Sequence, residues 1–89
     1  MSIAVTVQYY NVLRRAAGCA EQTLCLPRGS SLCDALQQLS TASDGALRHL
    51  LFTDEGDLVA YVVVFRNRKL VDREQLDAEL TDGDELKLF

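Results

Sequence analysis

Apolar and polar residues alternate along the first stretch of the chain. Ile3, Val5, Val7 and Tyr9 fall on one side, and Ala4, Thr6, Gln8 and Tyr10 on the other. A period of two is the mark of a half-buried strand. Asn11 to Gln22, which holds Arg14, Arg15 and Gly18, reads as a connection. Thr23 to Leu26 forms a second short strand, ended by Pro27 and Gly29. The two strands lie close enough in sequence to pair as an antiparallel hairpin with a long loop.

The period then changes to that of a helix. In SSLCDALQQL, Leu32, Ala35, Leu36 and Leu39 stand at i, i+3, i+4 and i+7 and make one apolar stripe. Ser31 is the N-cap, and Asp34 three residues on can reach back to it as a capping box. Gly45 to Phe52 adds a short helix around Leu47, Leu50 and Leu51, with His49 at its surface or boundary. Thr53 to Asp57 is a turn. LVAYVVVF, Leu58 to Phe65, is the longest apolar run, rich in β-branched and aromatic residues, and reads as the best strand of the chain.

Arg66 to Lys69 is a polar turn, and Leu70-Val71 a brief return strand. Asp72 to Leu80 connects, with room for a helical turn and with Leu76 and Leu80 as inward anchors. Thr81-Asp82-Gly83-Asp84 turns into the last strand, Glu85 to Phe89. A final strand after a long connection can enter the sheet beside the first and parallel to it, while the helix covers one face. The expectation is an α+β, β-grasp domain over residues 1–89: a mixed sheet of four to five strands with one main helix on one face. A ferredoxin-like fold needs a second substantial helix before the last strand, and Asp72 to Leu80 is too short for one.

Composition narrows the function classes. Hydrophobic residues make up 48% and charged residues 25%, as in an ordinary folded domain rather than a disordered chain. No apolar run approaches the ~20 residues of a membrane span, and MSIAVTV lacks the basic region of a signal peptide, so the expected location is the cytoplasm. The net charge of −4 is uneven: residues 1–43 balance to +1 and residues 44–89 to −5. The acidic second half disfavours nucleic acid. Cys19, Cys25 and Cys33 match no zinc spacing and read as small buried or semi-buried hydrophobes, with the single histidine, His49, far from them. Neither a metal nor another cofactor is expected.

What remains is surface. Both alternating sets of Leu58 to Phe65 are apolar, and one helix covers only one face of a small sheet. Part of the set Val59, Tyr61, Val63 and Phe65 should therefore face solvent or a partner, unless Gly45 to Phe52 and the loops cover it. Arg66, Arg68 and Lys69 cluster in a turn, either as a solvated hairpin or as a contact to an acidic partner.

At this point the chain resembles a known family. VTVQYYNVLRRAAG, SSLCDALQQL, LLFTDEGDLVAYVVVFRN and LTDGDELKLF occur in the order found in ubiquitin-like sulfur carriers: the small subunit of molybdopterin synthase, the thiazole-pathway carrier and the related small modifiers. The turn Asp82 to Glu85, supported by Asn67, carries most of the likeness. The resemblance implies a non-enzymatic carrier, a monomer or part of a hetero-oligomer, that docks on an ATP-dependent adenylating enzyme or a large synthase subunit. Such proteins end in a flexible Gly-Gly tail beyond the strand matching Glu85 to Phe89; its carboxylate is adenylated and then converted to a thiocarboxylate. Only a backbone without side chains threads the narrow channel of the enzyme. This sequence stops at Phe89, so the expectation is a carrier seen without that tail or, alternatively, a tail-less interaction module. By the same analogy Leu88 and Phe89 join Tyr61, Val63, Phe65, Arg66 and Arg68 as the expected partner interface.

Overall fold

The computed structural model describes residues 1–41, 47–59 and 62–89. Strand β1 (Ser2–Tyr9) and strand β2 (Glu21–Pro27) pair antiparallel in unbroken register, from Ser2 opposite Pro27 to Gln8 opposite Glu21. Between them lies a helix, α1 (Asn11–Ala17), where the sequence suggested only a connection. It buries just Leu13 and Ala17, one turn apart, so its period is too short to stand out. Gly18 closes it at φ 75°, and the Gly18 N–H donates to the Arg14 carbonyl at 3.1 Å.

Helix α2 (Leu32–Thr41) follows the expected capping box in both directions. The Asp34 N–H donates to Ser31 Oγ at 3.1 Å, and the Ser31 N–H donates to Asp34 Oδ2 at 3.0 Å. Leu32, Ala35, Leu36 and Leu39 are all buried against Ile3, Val5, Val7 and Tyr9 of β1 and Leu24 and Leu26 of β2. Helix α3 (Arg48–Leu51) adds Leu51, with Leu47 just before it, to the same core, while His49 is exposed. Both α2 and α3 thus serve the covered face of the sheet.

The run from Leu58 to Phe65 is not one strand. Regular pairing gives β3 (Val64–Arg66), joined by a tight turn to β4 (Lys69–Leu70). Leu58 makes an isolated bridge to Phe52, and the Val59 N–H bonds to the Leu51 carbonyl at 2.8 Å. Val59, Val62 and Val64 are all buried, so inward residues at 59 and 62 break the single alternation expected over this run. The segment is tied to the end of α3 before it enters the sheet. Ala60 and Tyr61 lie outside the described residues, and so does the start of Gly45 to Phe52.

A 3-10 turn (Arg73–Gln75) leads past half-buried Leu76 and buried Leu80 to strand β5 (Glu85–Leu88). The sheet order is β2-β1-β5-β3-β4, with β5 parallel to β1 and antiparallel to β3. The last strand is therefore central, as a β-grasp requires, and Leu86 and Leu88 are fully buried.

Among the described residues Tyr9 is the one polar flaw of this core. It is 1% exposed, and its hydroxyl finds no hydrogen-bond partner among the described residues. Burial, with a smaller contribution from Cys19, pushes its pKa far up and keeps the phenol neutral. An unpaired buried hydroxyl carries a desolvation penalty. The Tyr9→Phe variant is therefore expected to be more stable than the parent by about 1 kcal/mol in urea unfolding. A loss of that size instead would mean that the hydroxyl is satisfied in solution.

Candidate docking face

The sheet face away from α2 carries the even residues of β1 and the odd residues of β5 and β3. Most of it is polar: Thr6, Gln8, Thr23, Glu85 and Lys87. Its far end is different. Val63 and Phe89 exchange both backbone hydrogen bonds, at 3.0 and 2.9 Å, which carries the pairing of β3 and β5 one step past Leu88. The Phe89 ring stacks on Tyr10, 4.4 Å between centroids and 5° from parallel. Phe65 meets the Phe89 ring edge-on at 5.6 Å and 74°. Such pairs are attractive beyond the area they bury. The cluster still reaches solvent, since Phe89 is 39% and Val63 37% exposed. Leu70, paired with Phe65 across the hairpin, is 64% exposed.

Beyond this cluster an apolar groove of about 400 Å³ opens at the strand ends, lined by Tyr10, Val12, Leu13, Leu50, Val62 and Phe89. An aromatic cluster continuous with an apolar groove resembles the core of a protein interface rather than an ordinary solvated sheet face.

The expected interface residues divide. Val63, Phe65 and Phe89 come together on this face. Leu88 does not: strand alternation turns it inward with Leu86, and it is 0% exposed, so its side chain cannot meet a partner. Arg68 is exposed at the hairpin tip, where Asn67 and Arg68 adopt φ 50° and 71°, the left-handed pair of a two-residue turn. Tyr61 lies outside the described residues. Tyr10 is the residue that sequence reasoning missed. Its parity placed it on the outer face, but only the fold shows that β1 delivers it to Phe89.

Arg66 has a different task. Its Nε donates to Asp84 Oδ2 at 3.0 Å, its terminal nitrogen lies 2.7 Å from the same oxygen, and it also donates to the Glu79 carbonyl. Asp84, 4% exposed, accepts in addition from Asn67 Nδ2 at 2.9 Å, the Thr81 hydroxyl at 2.9 Å and the Thr81 N–H at 2.8 Å. Burial alone would raise its pKa. The bonds from Thr81 and Asn67 and the charge of Arg66 outweigh that and hold the carboxyl below the usual range. Around it, Asp82 Oδ1 takes the Ala4 N–H at 2.8 Å, Gly83 turns at φ 87°, and Asn67 Oδ1 takes the Glu85 N–H at 2.9 Å. Asp82 to Glu85 is thus the latch that seats β5 between β1 and β3.

This geometry can be set against known proteins. The sequence model of the ThiS family matches residues 7–89. The chain belongs to the ThiS family. Among solved structures, SAMP1 from Haloferax volcanii shares 28% identity with this ThiS-family chain at a TM-score of 0.87, covering 97% of this chain and 92% of its own. A putative molybdopterin converting factor, subunit 1, from Pyrococcus furiosus shares 26% at 0.78, covering 99% and 97%. Sulfolobus solfataricus Urm1, at 17% identity and 0.71 with 93% and 95% covered, is alike in fold. No curated protein matches the sequence. The ubiquitin-like sulfur-carrier and modifier family expected from the sequence is the one found.

Cys19 and Cys33 of this ThiS-family chain are half-buried as expected, whereas Cys25, on the outer edge strand, is exposed. Burial, then the carboxylates of Asp34 and Asp77, push the Cys33 pKa up, which disfavours the thiolate that a nucleophile needs. Among the described residues no group of His, Cys, Asp and Glu could hold a metal ion, and no helix is long and apolar enough to cross a membrane.

Proposed function

We propose that this ThiS-family chain is a sulfur carrier or small modifier, not itself an enzyme, that docks through its open sheet face on an adenylating or sulfur-transfer partner. The observation that carries the reading is the cluster of Tyr10, Phe65 and Phe89 with the apolar groove beside it. It sits where β5 leaves the sheet, so a partner seated on it stands next to whatever follows Phe89. On this reading a Gly-Gly tail follows Phe89. The partner uses ATP to convert the terminal carboxylate to an acyl-adenylate with loss of pyrophosphate, and a sulfur donor then displaces AMP to leave a thiocarboxylate. The globular part contributes recognition, and the latched central strand gives the tail a fixed point of departure.

The intact mass of the protein from its native source tests the proposal. The expected mass exceeds that of a chain ending at Phe89 by a short segment closing on Gly-Gly. A native chain that ends at Phe89 would overturn the carrier reading and leave an interaction subunit of an enzyme complex.

A further inference from the structure

The two edges of the sheet are unlike. β4 offers two residues, whereas β2 offers an unbroken edge of seven. Its outward groups follow from the register. The Tyr9 N–H bonds to the Ala20 carbonyl and the Arg28 N–H to the Met1 carbonyl, both at 2.9 Å, so the even residues of β2 face β1. The N–H and C=O groups of Glu21, Thr23 and Cys25 therefore point away from the sheet, and none has a partner among the described residues. Pro27 has no N–H, and its carbonyl already accepts from the Ser30 N–H at 3.1 Å and the Ser30 hydroxyl at 2.7 Å. Proteins usually blunt such an edge with lysine, a bulge or an internal proline, and Glu21 to Leu26 has none of these.

We propose that this edge pairs with the same edge of a second copy of the chain, antiparallel about a two-fold axis at Thr23. Thr23 then exchanges both backbone bonds with its symmetry mate, and Glu21 exchanges both with Cys25 of the partner subunit. A two-fold at Thr23 satisfies every open group of the window, whereas one at Cys25 would set Thr23 against the closed Pro27. It also keeps Glu21, the one charge in the window, away from another acid and places threonine across from threonine, a favourable pair. Charge agrees at longer range, because the acidic excess lies in residues 44–89 and the segment holding β2 balances to +1. A window this short buries less than a stable interface does, so the dimer forms only at high protein concentration. β2 lies across the sheet from β3 and β4, so dimerisation leaves the aromatic cluster open and does not depend on the reading above.

Sedimentation equilibrium across micromolar to millimolar concentration reads the association directly. The expected mass rises from the 9.9 kDa monomer towards twice that value. Thr23→Pro removes one outward N–H and no bond to β1, so it should stay monomeric while melting near the parent temperature. The Glu21→Cys variant, with Cys19 and Cys33 changed to serine, should oxidise to a dimer cross-linked through Cys25, because paired strands bring such residues within disulfide reach. Wild-type protein that is monomeric throughout, or cross-linking no faster than with a cysteine placed at Lys69, overturns the proposal. So does a folded Thr23→Pro protein that associates like the parent.

Discussion

Asp84→Ala is expected to destabilise the protein by about 3 kcal/mol, read from the shift of the urea midpoint at unchanged slope. The magnitude follows from what the carboxylate holds. One buried acceptor satisfies Arg66, Asn67 and both donors of Thr81, so its removal leaves several donors unpaired beside a partly buried guanidinium. Loss of one member of a buried ion pair costs more than the pair itself contributes, because the stranded charge keeps its desolvation penalty. The pH dependence separates charge from packing. The folded pKa of Asp84 lies below its unfolded value, so its contribution is complete above about pH 4 and fades as pH falls through the folded value. Asp84→Asn keeps the shape and loses the charge. It should therefore be less stable than the parent at pH 7, with the gap closing on acidification. An equal gap at pH 7 and pH 3 would show that the ionised carboxylate is not what secures the latch.

The parts of this architecture that were legible in the sequence are those set by local signals. β1 announces itself by alternation, and α2 by its stripe and by a cap three residues long that forms in both directions. The central place of β5 followed from topology rather than from any residue. α1 was hidden because two buried side chains make no visible period. The apolar run at 58–65 misled for the opposite reason: its residues suit a strand throughout, but Val59 is drawn to the end of α3 by a backbone bond that no local pattern records. The candidate docking face was half visible. Val63, Phe65 and Phe89 could be listed from parity, but stacking against Tyr10 joins residues 79 positions apart and exists only once β1 and β5 lie side by side. Arg66 shows the same limit for charge, since a basic turn in sequence says nothing of an aspartate 18 residues on.

On the proposed function, Phe65→Ala is expected to weaken binding to the adenylating partner by roughly 30-fold, an interface loss of about 2 kcal/mol. Phe65 is the ring that touches Phe89 from the β3 side, so its loss both removes contact area and frees Phe89 to move. On the proposed function the aromatic cluster supplies recognition and no reacting group, so a contact there binds ground state and transition state alike. In ATP–pyrophosphate exchange the variant should raise the KM for the carrier and leave kcat near the parent value. Thr23→Ala lies on the same face but three strands away from β3, and it should change KM less than twofold. A half-buried ring also supports the fold, so the melting temperature of each variant must be compared under the assay conditions. If Phe65→Ala remains folded and binds like the parent while an α2 surface change such as Gln37→Arg disrupts docking, the partner approaches the helical side and the open face has some other use. The aromatic cluster would then be the unexplained feature, because an uncovered stack of Tyr10 and Phe89 on a solvated sheet has no purpose in folding that an aliphatic pair would not serve as well.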